Sequence, residues 1–548
     1  MTEMTMTGGQ ALVAALAAHG VDTVFGIPGT HNLEIYRHLG DHGIRHVGTR
    51  HEQGAGYMAD GYARTTGRPG VALVTSGPAV LNAATALAQA WSDSVPVLLV
   101  SPEMPLRHPA LGNGFLHESR DQRAALAAVS AASMSVTSVE EIPTAMSQAF
   151  ALMLSGRPRP VHLAVPLDVL AETADVEVPA PVRLPAITAD PAAVDEAVDR
   201  LAAARRPVML AGGGCKGAAG ELQRLAELLG AAVVTTINGK GVMAEDHALS
   251  VGAGVHLPAI RAMVEQADVV LAVGTELAPA DHWYGPLPLA GKLIRIDIDP
   301  VGIVTNAWPD VAVVGDAATV LSSLADALTD RDRRAAGDAH TVAAGWRELK
   351  DGDARVEGAE WVGLIDELTG AVPRDVIVGA DNAMACYYGA IAGLPTNTAA
   401  SFLYPTGFGT LGYGLPAAIG AKVANPDRPV LAMLGDGGVM FTVQELAVAS
   451  ELGLPLPVLI VDNSGYGEIR NEMLDRDDPV HAVTFGGTDF AALGRAMGCH
   501  AVTLDSPDGL GAVVEAAFTA DRPTVIHLIM AGPQTSPMSD RTNEGETA

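Results

Sequence analysis

The sequence predicts an α/β protein built from three doubly wound parallel-sheet domains. The chain has 548 residues, which corresponds to about three domains at roughly 100–200 residues per domain. Short apolar runs alternate with Ala-rich helical stretches, the pattern of parallel strands covered by helices on both faces. Two stretches interrupt this alternation, one rich in proline and one charged, and they indicate linkers between domains.

The interruptions set the expected domain boundaries. Residues 171–191 contain four prolines, and residues 331–358 are charged and contain glycine. We therefore expect a first domain at 1–180, a middle domain at 190–335, a third domain at 360–535 and a mobile tail at 536–548. The expected strands lie at 71–75, 95–100, 208–210, 233–236, 269–273, 293–298, 376–378, 430–434, 458–461 and 525–529.

Composition and charge exclude several classes of partner. The chain has 34 Lys and Arg against 63 Asp and Glu, a formal charge of −29, so neither nucleic acid nor an anionic membrane is an expected partner. We see no secretory signal at the N-terminus and no apolar stretch near the ~18 residues of a membrane span. Cys215, Cys386 and Cys499 lie far apart without CxxC spacing, which predicts reduced thiols, no zinc site and a cytoplasmic protein.

The first and third domains contain matching segments. Gly77, in a Ser-Gly-Pro turn, lies nine residues after Arg68, and Pro96, at the start of an apolar run, lies 28 residues after it. Arg428 is followed by a glycine after nine residues and by the corresponding proline after 29. This spacing indicates two copies of one strand–turn–helix–strand unit, although convergence in an Ala-rich chain is the alternative.

The middle domain has a Rossmann-like outline, with Ala-Gly-Gly-Gly at 211–214 after one expected strand and Ile-Asp-Ile-Asp-Pro at 296–300 after a later one. The dinucleotide pattern GxGxxG is not met, because the turn continues Cys215-Lys216-Gly217. We expect this domain to be structural and to bind no nucleotide.

The strongest local motif is Gly435-Asp436-Gly437-Gly438, which ends an apolar strand and opens a helix. The glycines let backbone N–H groups approach an anion, and the helix N-terminus adds its positive dipole end. A carboxylate in such a phosphate-binding turn is repulsive unless a cation lies between. A magnesium ion that bridges Asp436 and a diphosphate resolves this conflict.

The next strand supplies further oxygen ligands. It runs into Asp462-Asn463-Ser464-Gly465, and 25 residues separate Gly437 from Asn463. That is the length of one helix plus one strand, so adjacent parallel strands would bring both loops to the same carboxyl edge. The amide oxygen of Asn463 and a backbone carbonyl near Gly465 then complete a plausible magnesium site, whereas each loop alone would be an ordinary turn.

A magnesium and diphosphate site with this spacing resembles the thiamine diphosphate motif of the acetolactate synthase and 2-oxo acid decarboxylase superfamily. Here the final dipeptide is Asp-Asn, where many relatives have two Asn. Six further motifs occur in family order: VFGIPG at 24–29, RHEQGAG at 50–56, GYAR at 61–64, TSGP at 75–78, GFGTLG at 407–412 and LPAAIG at 415–420.

The resemblance implies a pyrimidine-binding first domain, a Rossmann-like middle domain and a diphosphate-binding third domain. It also implies head-to-tail pairing in which the first domain of one chain meets the third domain of another, so the protein would be at least a homodimer and by expectation a homotetramer. The implied cofactors are thiamine diphosphate and magnesium. The implied metal ligands are Asp436, Asn463 and Gly465.

Several residues take roles from the resemblance. In the family, the glutamate that matches Glu52 hydrogen-bonds a ring nitrogen of the aminopyrimidine; the alternative here is a solvated helix glutamate. Leu411 matches the apolar residue that bends the cofactor, although a leucine at this point could equally belong to the core. The remaining implied cofactor-binding residues are Pro28, Gly29, Ser76, Gly77, Asn82, Gly409, Thr410, Gly435, Gly437, Gly438, Gly465 and Tyr466.

Within the superfamily, three segments look more like the 5-guanidino-2-oxopentanoate (2-ketoarginine) decarboxylases than the synthases: FLHESRDQR at 115–123, TVQEL at 442–446 and GYGEIR at 465–470. The Gly-Met-His-Gly stretch associated with flavin in acetolactate synthases is replaced by Ala-Gly-Val-His at 253–256. FAD is therefore not expected.

The substrate class follows from the same resemblance. A guanidinium substrate requires a carboxylate in the pocket, and Glu468 or Glu118 could supply it, unless both are ordinary ion-pair residues. His117 is a candidate for proton transfer or for orienting the substrate carboxylate, against a hydrogen-bonded core histidine. Ala79 and the Pro102-Glu103 pair depart from the family pattern and leave the substrate open.

Three functions remain. The first, which we favour, is non-oxidative decarboxylation of a small-molecule 2-oxo acid. The second is carboligation with pyruvate as the donor, as in acetolactate synthases, which needs the same cofactor residues and room for an acceptor. The third is a non-catalytic paralogue, for which Glu52 or Asp436 would be expected to be lost; neither is lost.

Overall fold

The computed structural model describes residues 4–108, 112–329, 331, 338–485 and 487–530. It contains three six-stranded parallel sheets, each flanked by helices. The predicted fold class is therefore confirmed. The mobile tail predicted at 536–548 lies outside the described residues.

The first sheet is built from short apolar strands that are buried on both faces at its centre. Its strands are β2 (Thr23–Gly26), β3 (Arg45–Gly48), β4 (Gly70–Leu73), β5 (Val97–Glu103), β6 (Ala132–Ser135) and β7 (Val161–Pro166), in the spatial order β3-β2-β4-β5-β7-β6. Two further strands, β1 (Met4–Thr7) and β8 (Thr173–Val176), form a separate antiparallel pair.

Helices cover both faces of this sheet. They are α1 (Gly8–Ala18), α2 (Leu33–Tyr36), α3 (Glu52–Thr66), α4 (Pro78–Ser92), α5 (Gln122–Ala127), α6 (Ile142–Leu154) and α7 (Leu167–Ala171). Helix α1 begins with a capping box formed by Thr7 and Gln10. Helix α3 begins after His51, whose ring nitrogen accepts a hydrogen bond from the Gln53 N–H. This capping places Glu52 in the first turn of α3.

The middle sheet has the spatial order β11-β10-β9-β12-β13-β14, and all its strands are parallel. The chain adds strands to one side of β9 first and then to the other side, as in Rossmann-like folds. Its strands are β9 (Pro207–Ala211), β10 (Ala232–Thr235), β11 (Ser250–Ala253), β12 (Val269–Val273), β13 (Leu293–Asp297) and β14 (Val311–Val314). Its helices are α8 (Pro191–Ala203), α9 (Ala219–Leu229), α10 (Pro258–Gln266) and α11 (Ala317–Thr329).

The linker predicted at 331–358 is wrong for most of its length, because helix α12 spans Ala339–Glu357. Asp338 caps this helix by accepting a hydrogen bond from the Thr341 N–H. The charges that suggested a linker lie mostly on the solvent side, while Ala343, Lys350 and Ala354 are buried at helical spacing. In the proline-rich stretch at 171–191, β8 occupies the first part and residues 177–190 form neither helix nor strand.

The third sheet has the spatial order β16-β15-β17-β18-β20-β19. Its strands are β15 (Ile377–Ala380), β16 (Phe402–Leu403), β17 (Val430–Gly435), β18 (Pro457–Asp462), β19 (His500–Leu504) and β20 (Thr524–Ile529). Its helices are α13 (Val362–Ala371), α14 (Ile391–Gly393), α15 (Gly414–Ala424), α16 (Asp436–Val439), α17 (Glu445–Glu451), α18 (Gly467–Asp475), α19 (Phe490–Ala496) and α20 (Leu510–Ala517). A π-helical segment at Ala385–Ala390 precedes α14.

The first and third sheets share one topology. Numbered from the first strand of each sheet along the chain, both run 2-1-3-4-6-5, whereas the middle sheet runs 3-2-1-4-5-6. Gly77 follows the third strand of the first sheet, and Gly437 follows the third strand of the third sheet. The common strand order supports the prediction of duplicated units.

The described residues form two compact units. One comprises residues up to 186 together with 407–410 and 419–426. The other comprises residues 187–406, 411–418 and 427 onward, and therefore contains the middle sheet and the third sheet. Each parallel sheet has its own aliphatic core. In the described part of the chain, we find no helix with both the length and the apolar character needed to cross a membrane.

Shorter elements complete the fold. Single 3₁₀ turns lie at Thr30–Asn32, Leu39–His42, Gly213–Cys215, Pro279–Asp281, Gly302–Val304 and Ala359–Trp361. The three cysteines are buried and form no disulfide with one another. Burial raises the pKa of the Cys215 thiol to about 12 and that of Cys499 to about 11, so both thiols stay protonated at neutral pH.

Candidate active site

In the first unit, Glu52 and Asn82 come together across two packed helices. Glu52 lies in the first turn of α3, and its Oε2 accepts a hydrogen bond of 2.9 Å from Asn82 Nδ2 on α4. The two helices approach closely because Gly56 faces Ala86: a Cβ on Gly56 would lie 2.4 Å from that of Ala86. The Glu52 side chain is half-buried, so it is held in place while remaining accessible.

The turn after β4 carries Ser76 and Gly77. Gly77 has φ +64°, and a Cβ there would lie 2.2 Å from the carbonyl oxygen of His117, so only glycine fits. The Gly77 N–H donates to Gln122 Oε1 at 2.9 Å, which fixes the orientation of the turn. The structure thus places His117 directly against the turn that contains two predicted cofactor-binding residues.

A second histidine, His31, belongs to the same cluster and was not predicted. Its Nδ1 lies 2.6 Å from Ser76 Oγ, and its ring centre lies 4.9 Å from that of His117. Burial, and then the electrostatic interaction with His117, lowers the pKa of His31. A histidine two residues after the Pro28-Gly29 turn was the available signal, but only the fold shows that it meets Ser76.

Pro28 and Gly29 lie just after β2, beside the same turn. The Gly29 N–H donates to Asn32 Oδ1 at 2.7 Å, and a Cβ on Gly29 would lie 3.2 Å from the side chain of Thr75. Gly409 and Thr410 also belong to the first unit. Thr410 Oγ1 lies 2.6 Å from Tyr57 Oη.

Glu118 is engaged in its own loop. Its carboxylate accepts hydrogen bonds from the backbone N–H groups of Gly112 and Gly114, the second at 3.2 Å, and pairs with His108 at 3.1 Å. The hydrogen bond from Gly112 is the main reason that the pKa of Glu118 is lowered. This arrangement supports a loop-organising role for Glu118 better than a role toward substrate.

In the second unit, the Gly435–Gly438 turn follows β17 and opens α16. Asp436 is buried there, and burial, followed by the charge of Asp462, raises the pKa of Asp436 to about 6. Gly437 allows a close approach, since a Cβ on it would lie 2.7 Å from the ring of Tyr466. A Cβ on Gly438 would lie 3.0 Å from the Asp381 carboxylate.

Asn463 lies across from Asp436 at the neighbouring strand end. The side-chain NH₂ group of Asn463 donates to Asp436 Oδ1 at 3.2 Å and to the carbonyl oxygen of Gly465 at 2.8 Å. The carboxylate, the carbonyl and the amide therefore meet at one point, and turning the amide by 180° would present its oxygen to a cation bound there. The fit is to a hard cation such as Mg²⁺, which uses one or two carboxylates together with phosphate and other oxygens.

The surrounding side chains agree with this ligand set. In the described residues, no three His, Cys, Asp or Glu side chains converge as a metal site, so a metal here would depend on amide, carbonyl and phosphate oxygens beside one carboxylate. Asp462 is held away by His527, whose Nε2 lies 2.8 Å from Asp462 Oδ2. Its other oxygen accepts a hydrogen bond from the Ser464 N–H at 2.8 Å.

Asp381 is a second residue that sequence reasoning missed. It follows β15, is fully buried, and accepts hydrogen bonds from the Gly412 N–H. Burial raises the pKa of Asp381 to about 6. Leu411, next to Gly412, is half-exposed, which favours the predicted cofactor contact over a core position. The available signal was the Asp381-Asn382 pair directly after a strand, which resembles the Asp462-Asn463 pair after β18.

Glu468 lies in the first turn of α18, five residues after Asn463. Its Oε1 accepts a hydrogen bond of 2.9 Å from Tyr388 Oη on the π-helical segment. Burial, and to a lesser extent the charge of Glu472, raises the pKa of Glu468. Among the described residues no Lys, Arg or His forms an ion pair with this carboxylate.

The glycine turn of the middle domain is occupied by the protein itself. The Gly212 N–H donates to Val273 O and the Gly214 N–H donates to Gly274 O, each at 2.9 Å. A Cβ on Gly212 would lie 2.3 Å from Gly274 O. Both N–H groups are therefore already hydrogen-bonded to backbone carbonyls of the same domain.

Comparison with known proteins identifies the family. Residues 6–125 match the N-terminal binding domain of thiamine pyrophosphate enzymes, residues 194–324 match the central domain, and residues 383–528 match the C-terminal binding domain.

Full-length relatives agree with this match. The chain is 45% identical over 530 residues to the probable 2-ketoarginine decarboxylase AruI of Pseudomonas aeruginosa, covering 96% of this chain and 94% of the relative. It is 34% identical to a probable acetolactate synthase large subunit of Methanocaldococcus jannaschii, covering 97% and 93%. It is 33% identical to the acetolactate synthase isozyme 2 large subunit of Escherichia coli, covering 95% of each. The chain therefore belongs to the thiamine pyrophosphate-dependent enzyme family.

Proposed function

We propose that the protein is a thiamine diphosphate- and magnesium-dependent decarboxylase of a 2-oxo acid, and that its substrate is 5-guanidino-2-oxopentanoate. The observation that carries the substrate assignment is the Glu468 carboxylate, which lies five residues after Asn463, is half-buried and has no ion-pair partner within the part of the chain that the structure describes. A carboxylate in this position would match a cationic substrate tail. The 45% identity to a probable 2-ketoarginine decarboxylase supports the same substrate.

Asp436, Asn463 and the Gly465 carbonyl would hold the magnesium ion, and Gly435, Gly437 and Gly438 would admit the diphosphate. When bound, thiamine diphosphate supplies the nucleophilic carbon and the electron sink that decarboxylation requires. The chain's own contribution is orientation and protonation. Leu411 and Tyr466 would contact the cofactor beside these loops.

Glu52 would hold a proton at the pyrimidine ring, and Asn82 keeps its carboxylate in one orientation through the 2.9 Å hydrogen bond. Pro28, Gly29, Ser76, Gly77, Gly409 and Thr410 would provide the backbone and hydroxyl surface around that ring. His117 would orient the substrate carboxylate or return a proton to the product. Its ring packs against that of His31, whose Nδ1 lies 2.6 Å from the hydroxyl oxygen of Ser76.

Carboligation with pyruvate as the donor is the second candidate. The acetolactate synthase relatives at 33–34% identity support it. The same cofactor residues would serve both reactions, so the difference would lie in the substrate tail pocket and in room for an acceptor. A non-catalytic paralogue is less well supported, because Glu52 and Asp436 are both present.

We further propose a cytoplasmic homotetramer, no need for FAD, and domain boundaries at 1–180, 190–335 and 360–535. The purified protein should then be colourless and active without added flavin. Bound flavin in its absorbance spectrum would favour the acetolactate synthase-like carboligase function instead.

The deciding experiment incubates the purified protein with thiamine diphosphate, magnesium and a panel of 2-oxo acids, with and without acetaldehyde. We expect carbon dioxide release, no dependence on the acceptor, and a specificity constant for 5-guanidino-2-oxopentanoate well above that for pyruvate. One charge-assisted hydrogen-bonded pair contributes about 1.5–3 kcal/mol, or about 10- to 100-fold in selectivity. A preference for pyruvate with ligated product would overturn the proposal in favour of carboligation.

Two matched variants locate the tail pocket. Glu468→Gln should lower the preference for the guanidino substrate, whereas Glu118→Gln should leave it nearly unchanged because Glu118 is bound within its own loop. If only Glu118→Gln changed the preference, Glu118 and not Glu468 would be the carboxylate that binds the guanidinium tail.

A further inference from the structure

Three aromatic rings meet at steep angles in the second unit. The rings of Trp283 and Tyr387 lie 6.2 Å apart at 88°, and those of Trp283 and Tyr388 lie 5.9 Å apart at 89°. Tyr387 and Tyr388 are 4.6 Å apart at 69°. The three rings therefore form the walls of a corner, which we call the aromatic corner.

The corner is held rigidly from the middle domain. His256 stacks on Trp283 with ring centres 3.8 Å apart, and the Trp283 Nε1–H donates to Ala280 O at 2.9 Å. His256 is itself fixed by Glu357, whose Oε2 lies 2.9 Å from His256 Nε2. The other oxygen of Glu357 accepts a hydrogen bond from Tyr284.

Glu468 adjoins the aromatic corner. Tyr388 Oη donates to Glu468 Oε1 at 2.9 Å, and the Tyr387 hydroxyl also hydrogen-bonds the Glu468 carboxylate. Trp283, Tyr387 and Glu468 are each half-buried, so part of each residue stays accessible. Both of these partners are neutral phenols, so a cationic ligand that donates to the carboxylate would add a charge-assisted hydrogen bond.

The corner also lies beside the predicted metal loop. Tyr387 and Tyr388 belong to the π-helical segment that begins directly after Met384. The side-chain amide of Asn463 lies 3.7 Å from Met384 Sδ, and a Cβ on Gly467 would lie 2.8 Å from the same sulfur. A ligand in the corner would therefore lie close to the loop that carries Asn463.

From this arrangement we propose that the aromatic corner, together with Glu468, is the subsite that binds the guanidinium tail of the substrate. This inference rests on the proposed decarboxylase function and names the residues that set its specificity. A guanidinium group is planar and weakly hydrated, stacks on aromatic faces and offers paired N–H donors to a carboxylate. An ammonium group would gain the carboxylate contact and less of the stacking, and an apolar tail would offer the Glu468 carboxylate no cationic donor.

The surrounding charges agree with a cationic ligand. Burial, followed by the negative charge of Glu468, holds the pKa of Tyr387 well above its ordinary value. Burial, followed by the same charge, also raises the pKa of Tyr388. Both phenols therefore stay neutral, and the net charge of the corner is the negative charge of Glu468.

The test compares specificity constants of the holoenzyme for 5-guanidino-2-oxopentanoate and for 2-oxohexanoate, a linear 2-oxo acid whose tail is uncharged. Trp283→Leu and Tyr387→Leu should each lower the ratio of the two constants by about 3- to 30-fold, the range expected from loss of a cation–π contact. Trp283→Phe and Tyr387→Phe keep an aromatic face and should retain most of the ratio. Trp308→Leu, a control at a highly exposed tryptophan of the middle domain, should leave the ratio unchanged.

A binding measurement separates recognition from chemistry. The non-reactive analogue 5-guanidinopentanoate, titrated against tryptophan fluorescence, should bind wild-type protein and bind Tyr387→Leu and Glu468→Gln about 3- to 100-fold more weakly. Equal affinity in all three proteins would overturn the inference. This titration applies even if the Trp283→Leu protein fails to fold.

The outcomes distinguish the subsite from the function. If wild-type protein shows no preference for the guanidino substrate, the proposed substrate is wrong. If wild-type protein prefers it but the leucine variants keep the ratio, the substrate stands and the aromatic corner is not its binding site. If leucine and phenylalanine variants lose the ratio equally, the rings act by shape alone and the cation–π inference fails.

Discussion

The carboxylate of Asp381 accepts hydrogen bonds from the Gly412 N–H at 3.1 Å for one oxygen and 2.9 Å for the other. Asp381 is fully buried, and Gly412 directly follows Leu411. The turn that positions Leu411 is thus tied to the carboxyl end of β15. A side chain that touches neither cofactor nor substrate would in this way set the position of one that does.

Asp381→Ala should therefore reduce both stability and cofactor affinity. The substitution leaves the buried Gly412 N–H without its acceptor, which costs about 1–3 kcal/mol in the free energy of unfolding. Urea unfolding and calorimetric titration with thiamine diphosphate would measure the two effects. Asp381→Asn keeps an acceptor oxygen and should recover most of the stability; a full loss in that variant would contradict a role based on this hydrogen bond.

Glu52→Gln should bind thiamine diphosphate with nearly unchanged affinity, because the amide keeps the shape of the carboxylate. Turnover should fall by about 10²- to 10⁴-fold, the usual contribution of positioned acid–base groups. Steady-state kinetics beside a binding titration separate the two quantities. Asn82→Ala, which removes the hydrogen bond to Glu52 and keeps its carboxylate, should cause a smaller loss of turnover. Near-wild-type turnover in Glu52→Gln would rule out the assigned role.

Asp436→Ala should abolish magnesium-dependent binding of thiamine diphosphate, since the diphosphate would then meet the glycine turn without a bridging cation. Calorimetry with and without magnesium checks this. Asp462→Asn is the matched control: that carboxylate faces His527, so the variant should keep its magnesium dependence. Tight retention of the cofactor by Asp436→Ala would show that the magnesium site lies elsewhere.

His162 should make the first domain sensitive to acid. It is buried between Ser101 and Ser133, and burial lowers the pKa of His162 to about 3 from a usual value near 6.5. Between about pH 3 and pH 6.5, His162 therefore carries a proton in the unfolded chain and none in the folded protein. The stability from this residue is complete above pH 6.5 and is lost as the pH falls toward 3, by about 2 kcal/mol at pH 5.

Denaturant unfolding between pH 5 and 8 would measure this loss. His162→Asn should flatten the pH dependence, whatever its effect on stability at pH 8. An unchanged slope would mean that other groups dominate the acid response.

Much of this fold is predictable because parallel strands buried on both faces are continuous apolar runs. The runs at 430–434 and 458–461 became β17 and β18, and their polar ends identified Asp436 and Asn463. Helix α12 was missed because its buried face includes Lys350 and Glu357, whose burial depends on partners elsewhere in the chain. His31 and Asp381 were missed for a related reason, since their partners Ser76 and Gly412 are 45 and 31 residues away in sequence.

The boundary between the two compact units has a consequence for dissecting the protein genetically. A gene fragment that ends at residue 186 would lack residues 407–410 and 419–426, which belong to the same unit. Asp93 would lose the Gly407 N–H and Tyr57 would lose the Thr410 hydroxyl. We therefore expect that fragment to express poorly alone and to recover when the missing segment is grafted on or supplied in trans, as in split-protein complementation.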